Sequence, residues 1–240
     1  MDHTTPLSPL PPPEEVTRRL EAVRAARGFL LPHQGVMAAA MPDLQDAAAV
    51  MYRAVTLTDR HLTPWEREFA WVAILLAAEE HVGTHHLRMF REEGGTDAHA
   101  TAIWRLVALA RGARAYAFMD AHWQPHFPGV PAAMAYREAT SAALAGLPVP
   151  EALARIALVG VQTALGDLWA QAAEIEAGYA AGVPEGKMAE AMSLAVWPSG
   201  MNRLIEGGGV WLRLIQQGRV PASPSFQAWA AQPDQDGMKL

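Results

Sequence analysis

Nowhere in this sequence do β-branched and polar residues alternate over the length of a strand. Runs rich in alanine, leucine, arginine and glutamate follow one another instead, separated by short breaks of glycine and proline. These are strong helix formers, and no period-2 pattern competes with them, so the chain is restricted to an all-α fold. Alanine alone supplies 47 of the 240 residues.

The breaks predict helices over residues 15–26, 43–58, 64–92, 97–110, 113–122, 131–145, 150–166, 167–181, 186–196 and 199–217. Thr63-Pro64-Trp65-Glu66 carries a capping residue, a proline at the first helical position and a glutamate three residues after the cap. Gly94-Gly95 and Gly182 stand where helices end. Residues 1–14 hold five prolines and no apolar period, which reads as a flexible arm. Residues 219–240 read as a loosely packed tail.

An internal repeat lies between the tails. Leu62-Thr63-Pro64-Trp65-Glu66 resembles Leu147-Pro148-Val149-Pro150-Glu151. Each segment leads through about thirty helical residues to a similar break, Gly94-Gly95-Thr96-Asp97 in one and Gly182-Val183-Pro184-Glu185 in the other. The expected organisation is a first helical unit over 15–145 and a second, related unit over 146–218.

Composition narrows the function. The formal charge is −6, and the 19 basic residues are 17 Arg and two Lys. No basic face offers itself to phosphates, so a nucleic-acid partner is not expected. The chain has no cysteine, which excludes disulfides, thiolate metal sites and every cysteine nucleophile or redox couple. The longest apolar run, 69–78, is too short to span a bilayer. The N-terminal residues lack the basic-then-apolar order of a signal peptide. The reading is a soluble, cytoplasmic protein without a membrane partner.

Protonatable residues are densest in Glu79-Glu80-His81-Val82-Gly83-Thr84-His85-His86. On one continuous helix at ~100° per residue, Glu79 and His86 fall on the packed side, one above the other, while His81 and His85 point away. A carboxyl and an imidazole facing the packed side are costly unless they pair, bind something or line a cavity. His81-x3-His85 with Glu80 has the spacing of a Zn or Fe pair, a metal-binding alternative. The two faces do not converge on three ligands, however, so no resident metal or other cofactor is expected. Pro125 spoils the helical pairing of His122 with His126. Gly207-Gly208-Gly209 follows no strand and is not a phosphate loop.

Arg67-Glu68-Phe69, the apolar run after it, Glu80-x4-His85-His86 and the eight residues from His86 to Gly94 together resemble the carboxymuconolactone decarboxylase/alkylhydroperoxidase D-like (AhpD-like) superfamily. Trp197 to Leu204, with Asn202-Arg203-Leu204, is similar to the stretch that closes this domain in the family. The resemblance covers roughly 62–110 and 147–218. It implies an AhpD-like helical fold and self-association as a trimer or dimer.

Peroxidase members resemble Glu-x11-Cys-x2-Cys-x3-His. Aligned on His86, the thiol positions hold Glu79 and Val82, and the upstream glutamate position falls on Arg67, between Glu66 and Glu68. In the second unit, Asp167 and Glu174 match Glu79 and His86. A thiol peroxidase cycle cannot operate without a thiol. The decarboxylase branch implies cofactor-free acid–base chemistry on a small organic acid or lactone. The carried-over catalytic set is His86, Glu79, Glu80 and His85, with Arg67, Glu68 and Arg203 as substrate contacts. On this reading His86 is the centre and Glu79 its nearest carboxyl partner. The alternative is a non-catalytic helical binding or assembly protein that kept the fold and lost the thiols.

Overall fold

The computed structural model describes residues 9–235, and within them every regular element is helical. The chain divides into two compact units at Thr58/Asp59. The N-terminal unit holds α1 (Pro13–Arg27), α2 (Pro32–Ala40) and α3 (Pro42–Tyr52), each with proline in its first turn, and α3 runs on into a π-helical turn, Arg53–Leu57. Of the arm expected over 1–14, residues 1–8 lie outside the described residues, and α1 already begins at Pro13.

The second unit contains α4 (Pro64–Ala77), α5 (Thr84–Glu92), α6 (Asp97–Phe118), α7 (Ala132–Leu144), α8 (Glu151–Leu165), α9 (Leu168–Ala180), α10 (Glu185–Leu194), the single turn α11 (Val196–Ser199), α12 (Met201–Gln216) and α13 (Pro224–Ala230). Its centre is the pair α4 and α8. Every residue of α8 from Leu153 to Ala164 is buried, as is every residue of α4 from Arg67 to Leu75. Apolar residues on every side of both helices send them inside, and Arg67, Glu68, Arg155, Gln162 and Thr163 are buried with them. The two pack on each other; α5 and α6 flank α4, and α9 and α10 flank α8. Gly160 makes the close approach possible, since a Cβ there would meet the Ile74 side chain at 2.8 Å and the Ala191 carbonyl at 3.0 Å. Because α4 and α8 share one core, the compact-unit boundary falls at 58/59 and not at 145/146.

Four elements differ from the sequence reading. The stretch read as one helix over 64–92 is two, with residues 78–83 between α4 and α5. The break read at Gly112 is absent: an exposed glycine with open space around it is tolerated, and α6 runs through. The helix α2 and, in the expected tail, α13 were unforeseen; each is short and starts on a proline. Residues 236–240 of that tail lie outside the described residues.

Candidate functional site

The Thr63 hydroxyl accepts from Glu66 N–H, and the Glu66 carboxyl accepts from Thr63 N–H, which fixes where α4 starts. That register puts Arg67, Glu68 and Trp71 on one turn inside the unit, 6%, 1% and 1% exposed. The helix stops at Ala77. Glu79 then adopts a left-handed backbone, φ +56°, which is uncommon for a residue with a Cβ. The chain reverses, and α5 begins at Thr84, with His86 N–H donating to Gly83 C=O at 2.9 Å.

The reversal brings His86 onto Glu68. Nδ1 of His86 lies 2.8 Å from Oε2 of Glu68, with the two side chains 2% and 1% exposed. The Trp71 indole stacks on the imidazole, with centroids 4.4 Å apart and an interplanar angle of 16°. The His85 ring also tilts against it at 4.3 Å and 42°. Arg67 sends Nη1 to Asp59 Oδ1 at 2.7 Å, and its Nε stands 4.0 Å from Glu68 Oε1. An ionised Glu68 requires Nδ1–H as the donor in this contact; that assignment holds the imidazole in one tautomer and orientation and leaves Nε2 as the basic nitrogen.

The expected partnership of Glu79 with His86 is therefore corrected. It assumed a helix unbroken through Gly83. The break rotates Glu79 outward: its side chain is 74% exposed and pairs with Arg111 at 2.8 Å, and the same Arg111 Nη2 donates to the Ala77 carbonyl at 2.9 Å. The carboxyl on His86 is Glu68, which the resemblance had assigned to substrate contact. Glu80 serves its own turn, accepting from Val82 N–H at 2.6 Å. His85, expected to face away, lies against His86. Arg203 is placed elsewhere: its guanidinium lies against the Gly166 backbone and pairs with Glu206 at 2.9 Å. Among the described residues no group of three His, Asp or Glu side chains is arranged to hold a metal ion.

A second buried polar group surrounds Glu174, whose partners went unread in the sequence. Glu174 of α9 is 1% exposed. Its Oε2 accepts from Arg155 Nη1 at 3.1 Å, and its Oε1 accepts from the Tyr136 hydroxyl at 2.8 Å. Arg155 also donates to Ser141 Oγ and Glu151 Oε1, each at 3.2 Å. Burial pushes the Glu174 carboxyl above its ordinary range, while Arg155 and Tyr136 pull it back down. Burial, reinforced by Glu174, pushes the Tyr136 hydroxyl upward as well. Asp167, the other residue matched in the second unit, caps α9 by accepting from Ala170 N–H at 3.1 Å. The available signal was the spacing: residues 18 and 19 apart cannot meet along one helix, where they would be ~27 Å apart, so each pair implies a hairpin.

No family model, curated protein or solved structure matches this chain.

Proposed function

We propose that the chain is a carboxymuconolactone decarboxylase-like enzyme in which His86, oriented by Glu68, transfers a proton on a small organic acid or lactone without a cofactor. The observation that carries this reading is the buried 2.8 Å contact between His86 Nδ1 and Glu68 Oε2. A carboxyl that fixes one ring nitrogen leaves the other available as general base and then general acid. The pairing also suits the family resemblance better than the sequence did, because the upstream glutamate becomes Glu68, one residue from the aligned position. Arg67 stands beside the pair. The absence of cysteine keeps thiol peroxidase chemistry out of the proposal. The test is deuterium uptake from D2O into unsaturated lactone acids and β-keto acids, followed by proton NMR. The wild type is expected to catalyse exchange and His86→Gln to lose it; equal rates for the two would remove His86 from the mechanism.

The second reading is a non-catalytic assembly protein in which Glu68–His86 is a core contact. The 2% exposure of His86 under Trp71 favours it. On that reading His86→Gln lowers stability and the wild type exchanges no deuterium.

Two further parts of the proposal concern architecture. The matching order of α4–α6 and α8–α10, with Gly94 and Gly182 both left-handed at helix ends, supports a tandem of related units. Exposed Trp104, Phe127 and Ile205 support self-association as a trimer or dimer. A light-scattering mass equal to one 25.9 kDa chain would count against the latter.

A further inference from the structure

Three polar atoms on one turn of α4 end inside the unit with no hydrogen-bond partner in the chain: Arg67 Nε, Glu68 Oε1 and Trp71 Nε1. Buried polar groups are normally paired, so three bare ones beside the same imidazole call for a ligand. Their chemistry is restrictive. Arg67 Nε–H and Trp71 Nε1–H can only donate. Glu68 Oε1 belongs to the carboxyl in contact with His86 Nδ1; with that carboxyl ionised and accepting from Nδ1–H, Oε1 can only accept. Two donors and one acceptor are the complement of one hydroxyl group, which offers one O–H and two lone pairs.

The spacing agrees. Arg67 Nε and Glu68 Oε1 are 4.0 Å apart, too far to bond each other. A single oxygen at ~2.8 Å from both subtends nearly a right angle, within reach of ordinary geometry. A carboxylate fits badly here. It has no proton for Glu68 Oε1, and it sets a second negative charge against a carboxyl that is 1% exposed.

We propose that Arg67 Nε, Glu68 Oε1 and Trp71 Nε1 receive one neutral hydroxyl oxygen, supplied either by the alcohol group of a small bound molecule or by a resident water. The inference rests on His86–Glu68 being the functional site, and it assigns to this turn the neutral end of the substrate and not its acid group.

The arginine Nε–H and indole Nε1–H protons give separate NMR signals in the 15N-labelled full chain, assigned with Arg67→Lys and Trp71→Phe. A nuclear Overhauser contact from both protons to a long-lived water supports the proposal and identifies water as the source. Movement of both signals on titration with 2-propanol, with acetate at equal concentration leaving them in place, supports it and identifies an alcohol subsite. Movement with acetate and not with 2-propanol overturns it in favour of an anion site. Neither a water contact nor a 2-propanol shift overturns it outright. Glu68→Gln removes the charged acceptor and is expected to weaken the water contact or the 2-propanol response at least tenfold; an undiminished signal overturns the assignment. If Glu68→Gln does not fold, Trp71→Phe read at Arg67 Nε–H carries the same expectation. These signals do not depend on turnover, so a bare turn beside an active His86 is distinguished from a hydroxyl-holding turn beside an inactive one.

Discussion

The hairpins α4–α5 and α8–α9 are each tied by one buried ionisable pair, Glu68 with His86 and Arg155 with Glu174. In the second, both carboxyl oxygens are bonded, and the arginine has Ser141 and Glu151 besides. In the first, one carboxyl oxygen and two neighbouring N–H groups are bare. The second hairpin has bare atoms too, Gln162 Oε1, Asp167 Oδ2 and Gln171 Oε1, but they lie outside its ion pair, whereas those of the first lie on and beside the pair itself. The turns differ in the same sense. Only Gly166 and Asp167 separate α8 from α9, and the left-handed position is a glycine, φ +65°. Six residues separate α4 from α5, and the left-handed position is Glu79, held by Arg111. The α8–α9 ion pair is built for stability, while the α4–α5 hairpin carries a left-handed Glu79 and an ion pair with unmet bonds next to a histidine.

The largest expected effect tests the satisfied pair. Arg155→Met strands Glu174 and should lower stability by about 3–5 kcal/mol, a melting shift on the order of 10 °C. Adding Glu174→Leu should recover most of that loss in denaturant titrations; a double variant no better than the single one would show that the network owes its weight to something other than the buried charge. His86→Ala should come next, at about 1–3 kcal/mol, because it leaves Glu68 Oε2 unpaired but keeps the Arg67 guanidinium beside the carboxyl, with Nε 4.0 Å from Oε1. If it proves more damaging than Arg155→Met, the ranking of the two hairpins is reversed.

The turns give a contrast of sign. Gly166→Ala forces a Cβ into a left-handed position and against the Arg203 guanidinium, and should destabilise by about 1–2 kcal/mol. Glu79→Gly relieves the same backbone penalty and gives up only an exposed ion pair, so thermal unfolding should occur at the same temperature or higher. A clear drop for Glu79→Gly would mean that the Arg111 contact holds the turn more firmly than its exposure suggests.

The smallest effect concerns how the hairpins begin. Glu151 at the start of α8 pairs within its own helix, with Arg155, whereas Glu66 at the start of α4 is tied to Lys187 of α10 at 2.5 Å. Burial works to raise the Glu66 carboxyl, but hydrogen bonds from Lys187 and Thr63 outweigh it, and the group titrates below its ordinary 4.5. A depressed carboxyl contributes stability that is fully present above the ordinary value and is lost as the pH falls through the lower folded one. Lys187→Met should therefore cost up to about 1 kcal/mol at neutral pH. Its difference from the wild type should close in acid, below pH 4.5; a gap that persists there would point to packing by the lysine stem.

The helices were legible where alanine-rich runs met glycine or proline; the burial of α4 and α8 on all sides was not read, because each carries charged or polar residues among its apolar ones. His86 was read as facing the packed side, and it does. Its partner was not legible, because helical phase is a statement about one continuous helix, and the 78–83 connection reset the phase. The signal for the break was Gly83-Thr84, a glycine followed by a polar residue at a helix start, set within a run otherwise dense in helix formers. Arg155 with Glu174 was hidden for a different reason. Neither residue stands in a local cluster, and only the turn at Gly166 brings them together across 19 positions.

The face-to-face stack of Trp71 on His86 makes the site optically addressable. An imidazole that gains a proton becomes an electron acceptor at van der Waals distance from an excited indole. A change of charge on His86 therefore registers as a loss of Trp71 emission, whatever the substrate. The chain has eight tryptophans, so the useful quantity is the difference between the wild type and Trp71→Phe, followed as pH or ligand is varied. The ring that shields the histidine from solvent is then also the instrument that reports its proton.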